Sequence, residues 1–120
     1  MAEHYESDAE YAPGTVVVFG GAKEITTTTM RADARVAGVV STNPAYLMNA
    51  DAAGLAIALR GRVPVQVVGP VHKGDSLITS AESGYAESVG HDLSYGQAVF
   101  AKALETNLEP GKKTITAVIL

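Results

Sequence analysis

Three histidines, His4, His72 and His91, are the side chains best suited to moving protons or holding a metal near neutral pH. None has a second histidine or a carboxylate at a helical ligand spacing. His91 and Asp92 are adjacent, and neighbours on an extended chain point to opposite faces. The histidines therefore read as exposed turn residues, and no metal site is expected. No serine lies in a G-x-S-x-G elbow. Gly20-Gly21 and the Gly-Pro turns lack the spacing and the following helix of a phosphate loop. Binding chemistry is better represented. His72, Lys73 and Asp75 lie together on one loop, aimed outward for a partner. Tyr46 and Tyr85, with Tyr5, Tyr11 and Tyr95, would make a glycan-stacking surface if the fold clustered them. The threonine run at 26–29 alternates faces, so it reads as an exposed strand.

Positioning such a loop requires a rigid frame, and the composition supplies one. The chain has 120 residues, 47% of them hydrophobic, with no Trp and only two Phe, so the core must be built from Val, Ile, Leu and Ala. The absence of Cys excludes a disulfide framework and thiolate metal sites. A formal charge of −4, with no cluster of Lys and Arg to offset it, argues against nucleic acid and against an anionic membrane. No apolar run approaches the roughly 20 residues that cross a bilayer. The acidic, polar start is not a signal peptide, so export, if it occurs, would use another route.

The frame reads as all-β: one compact domain of about nine short strands with turns roughly every 8–12 residues. Residues 1–12 read as an acidic arm and 13–120 as the domain. Pro13-Gly14 is a type II turn signal, followed by "TVVVF". Further strands are expected at 24–29, 35–41, 76–80, 85–90, 97–105 and 114–120. The segment 55–68 alternates through Leu55, Ile57 and Leu59 and again through Val63, Val65 and Val67. Pro64 fits such a strand only at an edge or bulge. Gly69-Pro70 and Lys73-Gly74-Asp75 are turns. At most one or two short helical turns are expected, at 45–53 or 91–96.

The chain also hints at repetition. "PGTVVV" and "KGDSLI" are both Gly turns feeding strands, and each precedes a small-residue strand, "VAGVVS" or "VFAKAL". Segments 13–41 and 73–104 are thus candidates for an internal duplication. Gly14 and Gly74 would be equivalent, and Gly38 and Ala101 would mark close backbone packing.

"AEHYESD…YAPGTVVVFGG", "RVAGVVSTNPAYLMN" (35–49) and "GRVPVQVVGPVHKGDSLITS…GYA" (61–86) together resemble a module at the C-terminal ends of tail-fibre and appendage proteins of tailed bacteriophages, marine and cyanobacterial phages among them. The resemblance covers nearly the whole chain. It implies a non-enzymatic structural module of a virion, made in the host cytoplasm and needing no cofactor. Its implied partners are copies of itself in a homotrimer, other virion proteins, and a host-surface glycan or receptor. The pattern is also similar to the G2-type self-cleaving domain of phage neck appendages, whose "D-x-A-E" stretch Ala2-Glu3 matches at its last two positions. That similarity implies an alternative, autoproteolytic maturation with Glu3 as the carboxylate, expected only where residues precede Met1. The Lys73-Gly74-Asp75 turn between valine strands resembles β-clip folds of the sialic-acid-synthase and type III antifreeze kind, which implies a second alternative, a small carbohydrate-binding domain.

Overall fold

The computed structural model describes residues 1–41 and 54–120, together with the backbone of Leu47–Met48. Strands form where β-branched and apolar residues run between glycine turns. They are β1 (Ala2–Tyr5), β2 (Val16–Phe19), β3 (Ile25–Thr27), β4 (Val36–Val40), β5 (Leu47–Met48), β6 (Leu55–Ala58), β7 (Gly61–Val68), β8 (Ser76–Thr79), β9 (Ala86–Ser88), β10 (Ala101–Ala103) and β11 (Lys112–Ile119). A 3-10 helix at Leu93–Ala98, capped by the Asp92 carboxylate on the Ser94 N–H, overlaps one of the two expected helical turns. The side chains of the other, at 45–53, lie outside the described residues.

The acidic segment at 1–12 is not an arm outside the domain. Ala2 is fully buried, and β1 lies between β6 and β5, antiparallel to the first and parallel to the second. Tyr5 packs edge-on against Phe19, with ring centroids 5.5 Å apart. The strand is hidden from a pattern search, because Ala2 and Tyr5, its apolar residues, lie on opposite faces and each shares its face with a polar residue, His4 or Glu3.

Six strands form one sheet in the order β3-β2-β4-β6-β1-β5, and five close into a barrel in the order β10-β11-β7-β9-β8. The sheet also curls on itself. The Glu6 carbonyl accepts from the Ile25 N–H, and Ser7 makes a parallel bridge to Ile25, so the chain beyond β1 reaches β3. The result is two five-stranded rings of the same circular order, with β5 added to the first.

The ladders agree residue by residue. Val17 faces Gly38 as Leu77 faces Ala101. Val40 faces Ile57 as Ala103 faces Ala117. Tyr5 faces Leu55 as Val65 faces Ile115. The parallel contact that closes each ring matches as well, Ser7 with Ile25 in the first and Val67 with Ala86 in the second. The entry turns match too. Gly14 and Gly74 have φ of +88° and +91°, and their N–H groups donate to Val40 and Ala103 carbonyls, each at 2.8 Å. The turns close by Thr15 N–H to Ala12 O and Asp75 N–H to His72 O, at 3.1 and 3.0 Å.

Strand alternation then divides the side chains. Val17, Ile25, Val40 and Ile57 fill the first ring, with Tyr5, Tyr11 and Leu55 packed against them. Val65, Val67, Leu77, Ala86, Ala103, Ile115 and Ala117 belong to the second core, which also takes in Val16, Val39 and Ala58 from the outer face of the first ring. The rings therefore share one core and form a single domain. Backbone bonds reinforce the join: Val16 N–H to Gly84 O, Gly84 N–H to Thr28 O, and Gln66 N–H to Gly14 O, all at 3.0 Å.

Candidate binding surface on the second ring

Strand β7 divides as its alternation requires. Val63, Val65 and Val67 are buried, Arg62 and Pro64 are exposed, and Gln66 is half-buried. Pro64 costs no ladder bond. Its partner Thr116 donates its N–H to Glu105 Oε1 and accepts from the Leu104 N–H, so the Thr116–Pro64 pair is a non-hydrogen-bonded one. On its other flank β7 meets β9 only at Val67, so the missing proline N–H falls at an edge.

The loop after β7 is fastened at two points and displayed between them. The Gly69 carbonyl accepts from Lys113 Nζ, which also donates to the Glu109 carbonyl. Partial burial pulls the Lys113 ammonium below the usual lysine pKa, with nearby Glu109 opposing the shift. Val71, fully buried, exchanges backbone bonds of 2.9 and 2.8 Å with Asn107. Pro70, His72, Lys73 and Gly74 are exposed.

Asp75 departs from the outward position expected of it. It is 6% exposed, and its Oδ2 accepts from the His72 N–H at 2.8 Å and from Ser88 Oγ at 2.7 Å. His72 Nδ1 and His91 Nε2 stand 3.9 and 4.0 Å from the carboxylate. A turn that reads as a surface signal thus holds its acid inward, because the carboxylate satisfies the turn's own amide and ties it to β9. Asp75→Ala should cost on the order of 1–3 kcal/mol, the penalty of leaving such partners unsatisfied, and lower the melting temperature accordingly. His72→Ala and Lys73→Ala keep the backbone donor and should stay within about 0.5 kcal/mol. Equal melting of Asp75→Ala and wild type in a calorimeter would show that the carboxylate does not hold the turn.

The other expected binding residues do not gather. Tyr46 lies outside the described residues. Tyr85 carries Lys112 Nζ 5.1 Å from its ring centre, and Tyr95 carries the Arg31 guanidinium at 5.2 Å. The Tyr11 hydroxyl donates to Asp8 at 2.6 Å. Each of these rings is engaged at a different place, so they form no common stacking platform. Glu3 accepts from the Tyr5 hydroxyl at 3.3 Å. Burial, and then the Glu3 charge, raise the Tyr5 pKa above its ordinary value. Among the described residues, no group of three or more His, Asp or Glu side chains is arranged to hold a metal ion.

What the fold does assemble is an open depression of about 360 Å³ on the outside of the second ring, lined by Arg62, Lys73, Leu104, Glu105 and Thr116. Arg62 and Lys73 are sequence neighbours of the valine strand and its loop. Glu105 and Thr116 were not singled out in the sequence, and the signal for them is indirect. The alternation of β11 puts Thr114, Thr116 and Val118 outward, and only its register with β7 brings Thr116 beside Arg62 and Pro64.

These features define an all-β module of two fused rings with a loop-bordered depression. The chain matches no protein-family model and no curated protein sequence. Its fold is similar to the crystal structure of the head fiber gp8.5 N base in bacteriophage phi29, with a TM-score of 0.54 and 16% sequence identity over 100% of this chain and 93% of that one.

Proposed function

We propose that the chain is a non-enzymatic structural module of a bacteriophage virion, seated at the base or tip of a fibre or appendage, where it trimerises and presents its second ring to a partner or to the host surface. The observation that carries this reading is the likeness of fold, from end to end, to a phage head-fibre base. The sequence resemblance to phage fibre and appendage modules agrees with it. Leu93, 92% exposed at the start of the 3-10 helix, and the half-exposed Phe19 and Met30 are apolar groups that subunit contacts would cover.

Two measurements test it. Light scattering at micromolar concentration should give three times the 12.4 kDa of one chain, and a monomer would remove the trimer. Gold-labelled antibody against the chain should decorate intact virions of the phage that encodes it. Unlabelled particles from a lysate that contains the protein would remove the virion assignment.

A further inference from the structure

The rings share a backbone plan, yet the same outer face serves opposite ends in each. On the first ring it carries Val16, Val39 and Ala58, all buried in the shared core. The register places Ser76, Lys102 and Val118 at the matching positions of the second ring, where Lys102 is exposed and Ser76 and Val118 are half-buried. The depression lies there. Its two cations stand where the first ring has Ala2 and Pro13, neither of which carries charge. Arg62 and Lys73 are therefore additions that the strand plan does not require.

Their electrostatics point to a ligand. Among the described residues neither Arg62 nor Lys73 lies within 4.0 Å of a carboxylate. Glu105, in the same depression, has Oε1 turned to the Thr116 N–H at 2.6 Å. Its second oxygen has no hydrogen bond among the described residues. The depression thus offers two donors of positive charge, one acceptor, a threonine and an apolar wall from Leu104. A simple anion would use the cations and be repelled by Glu105. A neutral sugar would leave the cations unmatched. A sugar that bears a carboxylate satisfies both, with its acid on Arg62 and Lys73 and a hydroxyl donated to Glu105.

We infer that the depression formed by Arg62, Lys73, Leu104, Glu105 and Thr116 binds an acidic saccharide, a uronic-acid type residue of a surface polymer. The host envelope as its source rests on the virion reading proposed above; the chemistry of the site does not.

Amide NMR titration of the full chain tests the site, with sodium glucuronate, glucose and inorganic phosphate as the probes. Glucuronate should shift the amides of Lys73, Leu104, Glu105 and Thr116 in a saturable way, and glucose should not. The double variant Arg62→Gln with Lys73→Gln should bind glucuronate about tenfold more weakly or worse, with its melting temperature held because both positions are exposed. Glu105→Gln should strengthen phosphate binding relative to glucuronate. No shift with glucuronate at millimolar concentrations overturns the proposal. So does an equal response to glucose, or phosphate binding as tight as glucuronate, which would make the site a general anion sink. Saturable glucuronate binding together with unlabelled virions would retain the site and reject the virion assignment. The converse pair of results would do the reverse.

Discussion

Val65→Asp should abolish cooperative folding. Val65 is fully buried in the second ring, opposite Ile115 on β11. Removing the valine forfeits roughly 1.5–3 kcal/mol of apolar burial. The larger loss comes from the carboxylate, which enters an apolar core that includes Val67, Leu77, Ala86 and Ile115. An unpaired buried charge costs several kcal/mol more. The sum reaches the 5–15 kcal/mol that typically holds a domain together. Because the second core also takes in Val16, Val39 and Ala58, the first ring should melt with it. Dispersed amide spectra and a sigmoidal circular-dichroism melt in wild type should both disappear in the variant. The neighbouring change Gln66→Asp, on the outer face, serves as the control and should retain the fold. A Val65→Asp melt within a few degrees of wild type would mean that the alternation does not point where the ladders place it.

Gly38→Ala is expected to be nearly as damaging, for a steric reason. A Cβ built on Gly38 falls 2.1 Å from the Ala58 carbonyl oxygen and 3.2 Å from Ile57 Cγ2. The oxygen belongs to the backbone of β6, so no side-chain rotation relieves the clash. The cause is local: the register of β2 with β4 shifts between Val17 and Val18, and the extra residue presses Gly38 onto β6. Relief requires β4 and β6 to part, at a cost of about 3 kcal/mol or more. The matching position in the second ring, Ala101, already carries a Cβ, and Ala101→Gly should cost less, about 1–2 kcal/mol from chain entropy together with the loss of a buried methyl. Denaturant melts should show Gly38→Ala losing about twice the stability that Ala101→Gly loses, or more. Equal losses would show that the two small residues do the same job.

How far the sequence carried these conclusions differs from element to element. The buried set Val63, Val65 and Val67 follows from period two, because one face of β7 is apolar throughout. The strand character of 101–103 was recoverable only through comparison with 36–40, since Ala101, Lys102 and Ala103 favour a helix on propensity. Strand β1 was missed because its neighbours are polar and its burial depends on β5 and β6, both remote in sequence. Asp75 shows the limit in the other direction. A Lys-Gly-Asp turn reads as surface chemistry, and nothing nearby announces that Ser88 and the His72 amide will draw its carboxylate inward. The depression was half legible. Arg62 and Lys73 lie within the strand and loop that the valine alternation and the Gly69-Pro70 turn mark out, whereas Glu105 and Thr116 arrive through the β7–β11 register, which no local pattern specifies.

The substitution of Lys102 for Val39 in the repeated plan has a consequence for growth. A module whose first ring buries an outer face against a second ring carries, in principle, the instructions for adding a third and a fourth by the same contact. Like-on-like stacking of that kind would yield an open filament. Lys102, exposed at the centre of the matching face and flanked by Ser76, removes the apolar surface such a contact needs, and a newcomer would have to bury an unmatched ammonium. The second ring thus acts as a polar end cap of the sort that terminates tandem-repeat arrays. A further copy of the ring cannot pack on this face as the second ring packs on the first, so contacts between copies of the chain would use other surfaces.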